Sequence, residues 1–147
     1  MNPRFSYREA AVQGASPVRL VVLLYEQAIE DLRRALAAHV RRDIEVRTRE
    51  IKHALLVISH LQSSLDKDRG GKVAVNLERF YNLLRAGLLE AQCQQSTASL
   101  EKHLSLLIQV REAWCDVEQV EREPMVTTKF TGPRSEDEPQ SLAEWKT

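Results

Sequence analysis

The chain has 147 residues, the length of one domain with a core of ordinary size. It is 43% apolar and 29% charged, a globular balance. Its 21 basic and 21 acidic residues cancel, which argues against a broad electrostatic partner such as duplex DNA or an anionic membrane.

The opening text, MNPRFSYREAAVQGASP, holds no apolar run of the secretory-leader kind. Nowhere do about 18 apolar residues follow one another, so neither membrane insertion nor a spanning helix is expected. Cys93 and Cys115 form no CxxC pair and read as reduced thiols. A cytoplasmic location follows from these signals.

Residues 1–15 are short of periodic apolar positions and read as a flexible N-terminal arm. Residues 16–122 carry four helical patterns. The first opens at Ser16, whose hydroxyl can accept from an orphan backbone N–H, with Pro17 at the first helical position. Its stripe is Val18, Val21, Tyr25, Ala28, Leu32 and Leu36. The run VRLVVLLY (18–25) is apolar almost all round and should be covered on several sides. The second helix starts near Asp43, with Ile51, Leu55, Ile58, Leu61 and Leu65 as its stripe. The third is predicted to start after Gly71, with Val73, Leu77, Phe80, Leu84, Leu88 and Ala91 on one face. The fourth starts near Ser96 or Thr97, and Leu100, Leu104, Leu107, Val110, Trp114 and Val117 form its stripe. Residues 123–147 hold Pro124, Pro133, Pro139 and the acidic run EDE, and read as a disordered tail with a solvated Trp145.

No strand-like alternation competes with these patterns. Four matched amphipathic helices with short connections predict an all-α fold: an antiparallel up-and-down four-helix bundle with a flexible arm and a disordered tail.

The chemistry-bearing features are weak. Gly70 and Gly71 precede Lys72, but a phosphate-cradling loop needs glycine at 66 and a hydroxyl at 73, where Asp66 and Val73 stand. The glycine pair instead fits a helix C-cap, with residues 66–69 as a solvated last turn. A bundle-borne di-iron site needs two ExxH motifs; only Glu50–His53 has that spacing. His53 and His60 read as an outer, solvated face, and Glu90 and Asp31 as surface charge. His39, His53, His60 and His103 all lack the lysine-glycine context of a phosphotransfer histidine. No catalytic constellation is visible, so no enzyme activity, metal or cofactor is expected.

Apolar residues also fall off the core stripes. Leu56 lies off helix two, Val75, Ala86, Leu89 and Cys93 lie opposite the helix-three stripe, and Leu106 and Ile108 lie off helix four. Isolated apolar surface residues are ordinary, but several together favour a groove for an apolar partner or a subunit contact.

Three blocks, YREAAVQGASPVRLVVLLYEQAI (7–29), SLDKDRGGKVAVNLERFYNLL (64–84) and REAWCDV (111–117), resemble the flagellar secretion chaperones of the FliS family. The likeness covers about residues 5–120 in order. It implies a four-helix bundle that binds the disordered C-terminal segment of flagellin, blocks its premature polymerisation and brings it to the flagellar export gate, without cofactor or catalysis. It also implies that an anti-sigma factor or co-chaperone is a further partner in some members. On this resemblance Leu56 and Val57 of helix two, and Asn76, Leu77, Tyr81 and Leu84 of the second block, are the expected client contacts; for Leu77 and Leu84 a pure core role is the favoured alternative. Tyr7 resembles the family's N-terminal aromatic, and the arm is expected to fold back and compete with the client. Deleting residues 1–12 should then tighten flagellin binding. Gly87 departs from the pattern, at a cost of about 1 kcal/mol relative to alanine in a helix, and leaves room for a neighbouring helix or the client. The alternative reading is a bundle adaptor for another helical partner, such as an anti-sigma factor.

Overall fold

A computed structural model describes residues 16–122. The expectations for the arm, including Tyr7, and for the tail, including Trp145, lie outside the described residues. Four helices fill the described chain: α1 (Pro17–Val40), α2 (Ile44–Ser63), α3 (Lys67–Gln94) and α4 (Thr97–Arg122). Each successive pair is joined by two or three residues, so neighbours run antiparallel. α1 packs most intimately on α2 and next on α4, while α3 closes the ring against α2 and α4 more loosely.

Side-chain caps set every helix start. The Ser16 hydroxyl accepts from the Arg19 N–H at 3.1 Å, and the Asp43 carboxylate from Val46 at 3.1 Å. Asp66 accepts from Arg69, and Ser96 from Ser99, each at 3.1 Å. Each bond satisfies one of the donors that the first helical turn leaves without a partner.

The third start differs from the expectation. Asp66 caps a helical turn that begins at Lys67, so residues 66–69 do not close α2, which ends at Ser63. The positive φ that the glycine pair suggested is real but confined to Gly71, at φ 55°, ψ −132°. There it divides the single turn 67–70 from the long helix that follows. Only glycine adopts that conformation without strain. The sequence pattern missed the turn because it carries no apolar residue to mark a period.

The core is built from Val22, Tyr25, Leu32, Ile51, Ile58, Leu61, Leu84, Leu88, Leu100 and Leu107, with alanines where helices approach closely. Val22 and Leu23 are buried beside Tyr25, as the all-round apolar run 18–25 requires. At the centre the Tyr25 and Tyr81 hydroxyls hydrogen-bond at 2.9 Å, their rings tilted at 53°. Burial pushes the Tyr25 phenol strongly up and the Tyr81 phenol up to about 12, so both stay protonated at neutral pH.

Polar burial was the part least visible beforehand. Asp31, expected on the surface, is fully buried. It accepts from the Gln27 amide at 2.9 Å and from the His53 Nδ1–H. His53 therefore turns inward towards α1, and of the two histidines expected on an outer face only His60 is exposed there. No cluster able to hold a metal occurs among the described residues. Gly87 faces α4: a Cβ at that position would run into the His103 imidazole, whose Nδ1–H donates to the Ser99 carbonyl at 2.7 Å. The room left by Gly87 is thus used by a neighbouring helix.

Candidate partner-binding grooves

Two apolar recesses stand out, and the sequence-derived contact residues divide between them. The first lies at the end of the bundle where α1 begins, α2 ends and α3 begins. Its volume is about 380 Å³. Pro17, Val18 and Val21 of α1, Leu61 of α2 with Leu65 just beyond it, Val73, Ala74 and Leu77 of α3, and Trp114 of α4 form its walls, with Tyr81 below. Asp66, Arg69 and Gly70 of the short first turn of α3 make one rim. Gly70 sits close to Ala74, where a Cβ would come within 2.7 Å of the alanine methyl. The break at Gly71 is what stands this turn at the mouth. Lys67 and Glu78 bridge the break through an ion pair of 2.9 Å.

The recess is bordered by α3, the helix that packs more loosely on its neighbours overall. Farther along, polar ties hold α3 to α2: the Gln62 amide donates to Asn82 and the Arg85 guanidinium to Gln62, both at 2.9 Å. The Gln92 amide donates to the Thr48 hydroxyl at 2.6 Å. None of these involves Val73, Ala74 or Leu77 of the cavity wall.

The second recess runs along the outside of α2. One part, about 510 Å³, is lined by Leu24 of α1 and by Leu56, Val57, Ser59, His60 and Ser63. The adjoining part is lined by Glu45, Thr48, Arg49, Lys52, His53 and again Leu56. From Glu45 to Ser63 the strip covers 19 residues, or about 27 Å of helix rise. Leu56 is 60% exposed at its middle. Its polar borders are basic on the Arg49 and Lys52 side. An apolar ridge with charged edges suits the greasy face of an amphipathic helix.

The residues expected at a partner contact therefore do not form one patch. Leu56 stands out into the α2 groove, with Val57 beneath it and nearly buried. Leu77 and Tyr81 belong to the end cavity. Asn76 is exposed on α3, and Leu84 is fully buried in the core. Sequence reasoning missed Leu24, Val73 and Trp114 as lining residues, because all three lie on or beside core stripes. A further exposed stripe on α3, with Val75, Leu83 and Leu89, includes two of the off-stripe residues singled out beforehand.

Among the described residues no helix is long and apolar enough to cross a membrane. Residues 1–121 match the model of a family described as Flagellar protein FliS. The flagellar secretion chaperone FliSB of Pseudomonas aeruginosa is 37% identical over 106 residues, 72% of this chain and 84% of that one. The flagellar secretion chaperone FliS of Salmonella typhimurium is 31% identical over 107 residues, covering 72% and 79%. That of Bacillus subtilis is 25% identical over 121 residues, covering 82% and 90%.

Proposed function

The chain belongs to the FliS family of flagellar secretion chaperones, and from that premise we propose that it acts in the cytoplasm as the export chaperone of flagellin. It binds the disordered C-terminal segment of the client, keeps it from polymerising, and delivers it to the flagellar export gate. The observation that carries this reading is the groove along α2, about 27 Å long, with Leu56 60% exposed at its centre, Leu24 and Val57 beside it, and polar and basic side chains towards its Glu45 end. A guest helix would lay an i, i+3, i+4, i+7 face over Leu24 and Leu56. Leu77 receives a second apolar anchor in the end cavity, with Tyr81 as its buried floor; Asn76, exposed on the same helix, contacts the guest outside that cavity, while Val57 and Leu84 act only as buried support.

Folding a guest on binding typically buries about 1,000–3,000 Å² and gives back about 2–5 kcal/mol in ordering entropy. That loss keeps a large interface reversible, as a hand-off to the export machinery requires. The described chain begins at Ser16, next to Pro17 and Val18 of the end cavity. Tyr7 of the arm 1–15 is proposed to compete with the client there, and removal of residues 1–12 tests the competition directly.

Leu56→Asp is the test of the groove. The substitution replaces exposed apolar surface and leaves the core intact, so the fold should persist. Its affinity for a flagellin C-terminal peptide should fall by roughly tenfold or more, as expected for a residue at the centre of an apolar contact. Equal affinity in a folded variant would remove the α2 groove from the binding surface.

A further inference from the structure

The opposite end of the bundle carries a cluster that lies outside the two proposed grooves. There α1 turns into α2 and α3 into α4. A cavity of about 440 Å³ is lined by His39, Arg42, Asp43, Ile44, Arg47 and Gln95.

Arg47 is the unusual member. It is only 1% exposed, on the first turn of α2. Its guanidinium donates one hydrogen bond, from Nη2 to the Ala91 carbonyl at 2.8 Å. Its Nε–H is buried with no acceptor, and Arg47 forms no ion pair among the described residues. A buried guanidinium is ordinarily matched by a carboxylate, because the lost hydration of a full charge is not replaced by neutral groups. The last turn of α3, which supplies Ala91, offers only the partial negative charge of a helix end.

Of the other groups around the cavity, Arg42 adds a second positive charge. Arg42 is exposed and His39 half-buried. Asp43 is the one acidic lining residue, and its carboxylate is engaged by the Val46 N–H at 3.1 Å and by Arg41 at 3.9 Å. Both helix-ending turns place a side chain at a left-handed position: Arg42 at φ 64° and Gln95 at φ 53°. Glycine is the usual residue there. Here an arginine and an amide, both hydrogen-bond donors, point their chemistry at the cavity that Arg47 lines.

We propose that this end of the bundle binds a single oxyanion group, a phosphate or a carboxylate, held by Arg47 and Arg42 with Gln95 as a neutral donor. A guanidinium fork matches either group through paired N–H donors. The carboxylate would come from an acidic side chain of a peptide, the phosphate from a free anion or small metabolite.

The experiment uses the full chain, with arginine Nε–H resonances followed by nuclear magnetic resonance at constant ionic strength set by chloride. Inorganic phosphate is titrated in one arm and a short glutamate-containing peptide in the other. The Arg47 Nε–H signal should move saturably below about 10 mM in at least one arm. Saturation in the phosphate arm alone assigns a free anion, and saturation in the peptide arm alone assigns a peptide carboxylate. Arg42→Gly supplies the control, since glycine fits the left-handed position and the fold should be kept or strengthened. Its apparent affinity should nevertheless fall by about tenfold, while thermal stability in chloride does not fall. Two results overturn the proposal: no saturable shift in either arm, or equal affinity in wild type and Arg42→Gly.

Discussion

A methyl group at position 87 has nowhere to go, because the His103 ring lies against the glycine backbone and is itself held by the Ser99 carbonyl. Two effects of Gly87→Ala therefore oppose each other. Alanine gains about 1 kcal/mol in helix propensity. Overpacking a close helix contact costs about 1–3 kcal/mol, and here the ring must leave its hydrogen bond as well. The second effect should win, with a net loss of about 1 kcal/mol or more in urea unfolding; a gain would show that the ring swings aside freely. The Tyr25–Tyr81 pair makes a second residue-scale prediction. The unfolded phenols ionise near pH 10, while burial holds Tyr81 at about 12 and Tyr25 higher. Stability from this pair is thus complete below pH 10 and is lost as the pH rises from about 10 towards 12. Difference absorbance at pH 11 should show fewer tyrosinates in the folded chain than in the denatured one, and equal numbers would contradict the burial. Asp31 shows why such details were hidden in the sequence. An aspartate among charged neighbours reads as surface, and only the inward turn of His53 from α2 reveals the partner that lets it be buried.

At the scale of the element, helix identity and caps were legible, because Ser16, Asp43 and Ser96 stand where apolar periodicity begins. The start of α3 was not. The stretch 66–70 is polar, and the same glycine pair can close one helix or interrupt another. Gly71 settles the matter through conformation rather than space: a Cβ there would touch nothing within 4 Å, but φ 55° is strained for any other residue. Gly71→Ala should therefore cost about 1–3 kcal/mol. It should also weaken flagellin-peptide binding, since the turn it positions carries Asp66, Arg69 and Gly70 to the mouth of the end cavity. Calorimetric affinity beside a urea titration checks both effects. A destabilised variant with unchanged affinity would separate the turn from the site.

Across the whole molecule, the four stripes specify a bundle but not its evenness. α1 and α2 pack closely, α3 packs more loosely, and a cavity lies at the end where α3 begins. The apolar residues outside the stripes pointed instead to exposed apolar surface elsewhere, with Leu56 in the α2 groove the clearest case. They could not say that Leu56 and Leu77 belong to different recesses, because that depends on which helices are neighbours. The guest itself was never legible in periodicity; it came with the family resemblance. The central claim is that flagellin's C-terminal segment folds into a helix against these recesses. Isothermal titration of that peptide into the full chain over a range of temperatures, with circular dichroism of the mixture, tests it most directly. The account expects a gain of helix beyond the sum of the separate spectra and a negative heat-capacity change from apolar burial. Binding without added helix and with a heat-capacity change near zero would contradict it.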